Sequence, residues 1–458
     1  MFSIVKNIHF VGIGGIGMSG IAEILINQGF NVSGSDISES ENTEYLRKKG
    51  ADVFLGHSAE NIDNAEVVVY SSAVKPDENV ETSEALRRKI PIIKRSRMLA
   101  EVSKLKYCLS VAGTHGKTTT TSMMGLILIQ AGIDPTVIVG GRLKDFGGTN
   151  ARLGNGEWSV FEADEYDRSF LNLDPSIAII NNIELEHIDI YKDYQDVLDT
   201  FTEFANKVPF YGFVSVCLDD KGVKDILSEI NKQTVTFGLS RHCDFRAENI
   251  VTTEGTSEFD VLEYGEKIGR LKLQIPGEHN IKNALGAISA ARKMDIEPDV
   301  IFSSLAGFSG VYRRFDRKGE AGGVTVIDDY AHHPSEVMAT LKSVRNGWNN
   351  RIVCAFQPHT FTRTKALYKE FAASFDDADV LIVTDVYPAR EKPVPGVTGE
   401  LVAKEAELYG HKNVRYISSL DEINRQLEDI LQPDDIFITM GAGNICNVAD
   451  KWIAEHNK

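Results

Sequence analysis

Apolar runs of strand length alternate with amphipathic segments of helix length from one end of the chain to the other, the pattern of α/β layers around mainly parallel sheets. Residues 8–11 read as a buried strand, followed by a glycine-rich turn, a helix over about 18–28 stopped by Gly29, and a second strand over 32–36. Val67–Tyr70 is a further strand and leads into a turn-like stretch at 71–76. Near Lys106 the pattern restarts, with the strand Tyr107–Ala112 running into a second glycine-rich turn and another helix. A third restart at about Gly323 predicts strands over 324–327, 352–356, 380–384, 414–417 and 436–440, separated by helices, as one doubly wound domain of five strands. Between residues 214 and 273 the pattern weakens and predicts only short β-like stretches and loops.

The restarts divide the 458 residues into three parts, 1–105, 106–322 and 323–458, in keeping with about 150 residues per domain. The 49 lysines and arginines against 66 aspartates and glutamates give a formal charge of −17. With no clustered basic block, that field argues against nucleic acid as a partner. No apolar run reaches the roughly 18 to 20 residues of a membrane span, and the N-terminus has no signal-peptide pattern, so a cytoplasmic location is expected. The five cysteines are far apart and form no C-x-x-C pair, which fits isolated thiols in a reducing compartment.

Three sets of residues carry chemistry. Gly12, Gly14 and Gly17 fit G-x-G-x-x-G between a strand and a helix, with Asp36 ending the next strand. Such a turn brings backbone amides to a diphosphate and an acid to a ribose hydroxyl, but does not distinguish a dinucleotide from a nucleotide-diphosphate sugar. An NAD-dependent oxidoreductase therefore stays open on this motif alone. The second turn, A-G-T-H-G-K-T-T-T, departs from the usual phosphate loop because Val111 stands where the first glycine belongs. It keeps Gly113, Gly116, Lys117 for β and γ phosphates and Thr118 for Mg²⁺, with Thr119 behind, and so points to a nucleoside triphosphate. The acidic run from Glu162 to Asp167, and the stretch from Asn181 to His187, each follow a strand. In a parallel sheet both would emerge at the edge that carries the phosphate loop, forming one candidate Mg²⁺ site.

Further along, Asn280 and Asn283 begin a helix, where they serve either as caps or as adenine contacts. Arg313-Arg314-Phe315 and the run from Asp328 to Pro334 flank the third restart, and His359 and Arg363 follow a later strand. Two arginines there can offset phosphoryl charge, and the Asp-His cluster can orient a substrate or metal.

Taken together, G-I-G-G-I-G-M-S-G-I-A, G-T-H-G-K-T-T-T-T, E-A-D-E-Y-D-R-S-F, G-E-H-N-I-K-N-A, D-D-Y-A-H-H-P-S-E, F-Q-P-H-T-F-T-R-T-K and Y-P-A-R-E-K-P-V-P-G-V closely resemble the Mur ligase family, in order over nearly the whole chain. The resemblance implies an N-terminal Rossmann-like domain, a central ATPase domain with a mostly parallel sheet and a C-terminal Rossmann-like domain. It also implies ATP-dependent ligation of L-alanine to the lactyl carboxylate of UDP-N-acetylmuramate through an acyl phosphate, with ATP and Mg²⁺ as cofactors and a monomer or weak homodimer as the working form. By the same resemblance, Gly12, Gly14, Gly15, Gly17, Met18, Ser19, Asp36, Ser71 and Ser72 bind the uridine nucleotide. Gly113, Thr114, His115, Gly116, Lys117, Thr118, Thr119, Asn280 and Asn283 bind ATP, while Thr118, Glu162 and His187 hold the metal. Lys117, His187, Arg314, Asp329 and His332 are the implied catalytic residues, and His359 with Arg363 the amino-acid contacts. The chain departs from the family pattern in Glu184-Leu185-Glu186-His187, where E-P-D-H is frequent, and in Thr360, where arginine is frequent. The acidic run also resembles the relative that adds a recycled tripeptide, whereas the His359 segment and Y-P-A-R-E-K-P favour the L-alanine branch.

Overall fold

Asn7–Val11 is the hub of a five-stranded sheet whose order is Asp52–Leu55, Asn31–Asp36, Asn7–Val11, Val67–Tyr70 and Ile92–Lys94. All four neighbouring pairs are parallel. The chain first winds to one side of the hub and then crosses to the other, so the crevice between Val11 and Tyr70 is the point where ligands bind in such sheets. The computed structural model describes residues 5–456 except 72, 105, 147, 187–189 and 390; Ser72 and His187 therefore lie outside the described residues.

The second sheet has ten strands in the order Glu266–Leu273, Thr256–Glu263, Phe245–Thr253, Thr234–Gly238, Phe213–Cys217, Ile177–Ile180, Tyr107–Ala112, Trp158–Glu162, Thr136–Ile138 and Ala151–Arg152. Tyr107–Ala112 is parallel to both neighbours, so Gly113, Asn181 and the Glu162 carboxylate emerge at one edge, as the strand pattern predicted. Where the sequence indicated only loops and short stretches, the structure has strands as long as nine residues, Phe245–Thr253 among them. Part of their length faces water, so polar residues interrupt the apolar runs by which strands are recognised.

The third sheet runs Asp316–Ala321, Val324–Asp329, Ile436–Met440, Ile352–Phe356, Val380–Val383 and Val414–Tyr416. It has six strands rather than the five expected, because Asp316–Ala321 pairs antiparallel with Val324–Asp329 upstream of Gly323. That strand, D-R-K-G-E-A, is a polar edge and offers no apolar signal. The hairpin closes through Gly322 and Gly323, with φ of 61° and 75°, the left-handed pair that a two-residue turn requires. By its internal packing the chain forms two compact units. One comprises 1–248, 260–270 and 282–308, and the other 249–259, 271–281 and 309–458.

A buried acid ties the first sheet to its helix. Glu81, in the first turn of Val80–Arg87, is fully enclosed and accepts from Ser35 Oγ at 2.6 Å and Asn61 Nδ2 at 2.6 Å, with His57 Nδ1 at 3.0 Å and His9 Nε2 at 3.7 Å. Burial opposes its ionisation, but His9, Ser35 and Asn61 outweigh that effect and draw its pKa down to about 2. Because the folded value lies below the unfolded one, the stabilisation is complete above about pH 4.5 and disappears as pH falls towards 2. Glu81→Gln is expected to lower stability by about 2–4 kcal/mol at pH 7, with the gap to the parent closing below pH 4.5, as measured by urea unfolding across that range.

Candidate active site

At Gly12, Gly14 and Gly17 the first glycine turn is shaped by contacts that crowd out a side chain. Gly12 has φ of +83°, and a Cβ on it would lie 3.0 Å from Ser71 Oγ. The Gly14 amide donates to Asp36 Oδ2 at 2.9 Å, so Asp36 braces the turn itself. Gly12 and Ile13 both donate to Ser35 O, while the Ile16 and Gly17 amides, at the start of the helix Ile16–Asn27, have no acceptor among the described residues. Two free amides at a helix N-terminus are what an anion needs. Met18 turns its side chain into the hydrophobic core, and the Ser19 hydroxyl donates to Ile16 O at 3.0 Å. Gly15 supplies the N-cap.

Sequence reasoning missed several residues around this turn. Asn42 Nδ2 donates to Gly14 O at 2.8 Å, Arg142 pairs with Glu41, and Asn150 Nδ2 donates to Ile16 O. The segment holding Arg142 and Asn150 also gives the Gly140 amide to Glu162 Oε2 at 2.6 Å. Isolated polar residues in a loop or at a helix start give no motif, so only the fold reveals them.

The second turn, between Tyr107–Ala112 and the helix Lys117–Gln130, is fastened to the neighbouring strand end. Thr114 N donates to Asn182 O at 3.1 Å, His115 N to Asn182 Oδ1 at 2.7 Å, and Glu184 N to Thr114 Oγ1 at 2.8 Å. Gly116, with φ of +79°, sits so close to Asn283 that a Cβ would come 2.2 Å from its Oδ1. Asn283 thus belongs to the wall of the phosphate loop, whereas the Asn280 amide donates to Pro276 O at 2.7 Å.

Lys117 Nζ donates to Gly113 O at 2.6 Å, to Thr114 O at 2.9 Å and to Glu165 at 2.8 Å. Burial disfavours its charge, but Glu165, then Asp164 and Glu162, outweigh that cost and hold it above the ordinary lysine range. Burial also pushes the Glu165 carboxyl up, against the pull of Lys117. Next along the helix, Thr118 Oγ1 lies 3.0 Å from both Glu162 oxygens, while Thr119 is buried behind it. A hydroxyl and a carboxylate converging beside a phosphate loop form the hard-oxygen donor set that suits Mg²⁺.

In the third sheet, Asp329 organises the strand end. Its Oδ2 accepts from Phe315 N and its Oδ1 from Ala331 N, both at 2.7 Å. Arg313 and Phe315 are left-handed, with φ of 62° and 48°, so Arg314 stands at the apex of a strained turn held by Asp329. Arg314 pairs with Glu336 at 3.4 Å, and both guanidiniums lie about 5 Å from the Tyr330 ring, at 5.1 Å and, for Arg313, 5.0 Å. His332 Nδ1 contacts Tyr330 O at 3.0 Å and Glu336 at 3.2 Å. Its ring meets His359 edge-on at 5.8 Å, and His359 stacks on Tyr387. Arg363 lies in the first turn of the helix Phe361–Ala372, next to Thr360, whose φ of +62° is unusual for a β-branched residue. Glu336, Tyr330 and Tyr387 were not singled out by the sequence. All three sit inside recognised segments, but only their packing assigns them to the site.

Family models match the chain in three successive stretches. They are the Mur ligase family catalytic domain over residues 7–107, the Mur ligase middle domain over 111–291 and the Mur ligase glutamate ligase domain over 313–443. A UDP-N-acetylmuramate–L-alanine ligase of Geobacter sp. (strain M21) is 50% identical over 454 residues, 99% of this chain and 98% of that protein. The protein of that name in Salinibacter ruber is 47% identical over 98% of this chain and 94% of its own length. Among solved structures, the UDP-N-acetylmuramate-alanine ligase of Thermotoga maritima superimposes with a TM-score of 0.84 at 30% identity, covering 98% of this chain and 99% of that one. A murein peptide ligase of Psychrobacter arcticus 273-4 has a TM-score of 0.71 at 24% identity, covering 98% of each chain.

Burial lifts the Asp329 carboxyl to about 6, although Arg314 and the Phe315 and Ala331 amides pull it down. Here the folded value exceeds the unfolded one, so ionisation favours unfolding, and the penalty grows between about pH 4 and pH 6. Relative to Asp329→Asn, the parent is expected to lose about 2–3 kcal/mol over that interval and then run parallel, as read from urea midpoints at pH 4, 5, 6 and 7.

Proposed function

Since the chain belongs to the Mur ligase family, we propose that it joins L-alanine to the lactyl carboxylate of UDP-N-acetylmuramate at the expense of ATP, in peptidoglycan precursor synthesis. The observation that carries this reading is the second sheet edge, where the phosphate loop sets Lys117 and Thr118 against Glu162 at the end of the neighbouring strand, in a chain half identical to a ligase of this activity.

The reaction runs in two steps. A lactyl carboxylate oxygen attacks the γ-phosphorus of ATP, the bond to the ADP oxygen breaks, and an acyl phosphate forms. The neutral amine of L-alanine then attacks the acyl carbon, loses a proton and expels inorganic phosphate, leaving an amide. Lys117 already carries a full charge in a low-dielectric setting, so exchanging Glu165 for phosphate oxygens places that charge where the transferring group needs it. Thr118 and Glu162 would hold Mg²⁺, with His187 as a further ligand, and the bound ion supplies charge neutralisation of the β and γ phosphates. Asn283 borders the loop as an ATP contact.

The remaining roles follow the same reading. Residues 1–105 hold the uridine nucleotide through the Gly12–Gly17 turn and the Ser71 side of the crevice. Residues 106–322 bind ATP, and 323–458 contact ATP and the amino acid, with His359 and Arg363 for the alanine and Arg314, Asp329 and His332 for the reacting groups. We also assign a cytoplasmic protein, monomeric or weakly dimeric, that uses neither nucleic acid nor membrane. Supporting this are the charge of −17 and the finding that no described helix is long and apolar enough to cross a membrane.

Release of ADP is expected only when UDP-N-acetylmuramate and L-alanine are both present with ATP. Turnover with a muramyl tripeptide in place of L-alanine would instead assign the recycling reaction, and ATP hydrolysis indifferent to both would refute a ligase. Lys117→Ala is expected to abolish turnover, by at least about a hundredfold, while UDP-N-acetylmuramate affinity measured by calorimetry stays within about twofold, since the two nucleotides use different turns.

A further inference from the structure

Arg95 opens the helix Arg95–Ser103, directly after the last strand of the first sheet. Its guanidinium rests on the first glycine turn: a Cβ built on Gly17 would lie 2.7 Å from Arg95 Nη1, 3.2 Å from Cδ and 3.3 Å from Cζ. The third glycine of the fingerprint is therefore the seat of an arginine from elsewhere in the chain. This guanidinium has five N–H donors, yet it makes no hydrogen bond to any described residue. Its one ionic neighbour among the described residues is Asp164, at 3.9 Å, beyond hydrogen-bond distance. The side chain is only 23% exposed, so water reaches it from a limited direction.

The adjoining residue behaves differently. Lys94 closes on Asp167 at 2.8 Å, so the neighbouring cation is paired at the acidic run while Arg95 is left on the glycine turn. There it lies beside the Ile16 and Gly17 amides, which also have no acceptor among the described residues. A cation next to the positive end of a helix is a repulsive arrangement unless an anion sits between them.

We propose that Arg95 grips the diphosphate of the sugar nucleotide, closing over the Ile16 and Gly17 amides with its planar fork. The inference rests on the assignment of the glycine turn to UDP-N-acetylmuramate, and adds to it a binding residue outside every recognised motif. A planar fork matches two phosphate oxygens in a way a single ammonium does not. Since the same guanidinium packs on Gly17 and stands 3.9 Å from Asp164, the diphosphate cradle and the acidic strand end lie within one arginine side chain of each other. A sugar attached to that diphosphate thus starts beside the edge that bears Glu162 and Lys117.

The test compares UDP with uridine, which lacks the diphosphate, by calorimetric titration of the full-length protein. Arg95→Gln is expected to weaken UDP binding about tenfold to a hundredfold and to leave uridine affinity and the thermal midpoint unchanged. Arg95→Lys, which keeps the charge and loses the fork, is expected to fall between the two. Equal UDP affinity in the parent and in Arg95→Gln would overturn the role of Arg95 while leaving the sugar-nucleotide assignment intact. A parent protein that binds neither UDP nor uridine would instead overturn that assignment, and this inference with it.

Discussion

A largely enclosed lysine, its side chain 13% exposed and facing Glu165, Asp164 and Glu162, is the constraint around which the second sheet edge is organised. Desolvating an ammonium is unfavourable by several kcal/mol unless opposite charge and hydrogen bonds answer it. Gly113 O and Thr114 O answer part of it, from a loop that is pinned to Asn182 and Glu184. The rest comes from Glu165. The acidic run is thus a counter-charge for Lys117, which explains how several carboxylates can crowd one strand end.

The same logic reconciles a net charge of −17 with two polyanionic substrates. Attraction is local: free amides at one helix N-terminus, a largely enclosed cation at the next, and Arg314 at an apex held by strained backbone. In the third sheet, Asp329 accepts from the Phe315 and Ala331 amides and so holds the turn by which Arg314 is presented. Each device works within a few ångströms, where the field of distant surface carboxylates is screened.

Much of this was legible in the sequence because it rests on periodicity and glycine. The hub strands, the helices after each glycine turn and the convergence of Gly113, Glu162 and Asn181 on one edge follow from apolar runs and parallel order. What stayed hidden has physical reasons. The strand Asp316–Ala321 carries no apolar signal because it is a polar edge, and the hairpin strands after Gly238 expose part of their length. Met18 lies in a motif yet faces the core, which helix phase decides and spacing does not. Thr360 gives no hint in its identity of a left-handed backbone. Arg142, Asn150 and Arg95 act across long sequence separations, where a single chain read alone carries no information on pairing.

The seat of Arg95 on Gly17 also bears on how such a fingerprint evolves. Two positions far apart in sequence occupy one volume, so neither can change freely while the other is kept. A lineage that shortened residue 95 would relax the demand for glycine at 17, and one that enlarged residue 17 would have to evict the arginine first. The third glycine of this motif then records a distant side chain rather than a helix resting on its sheet, and the two positions are expected to drift as a pair.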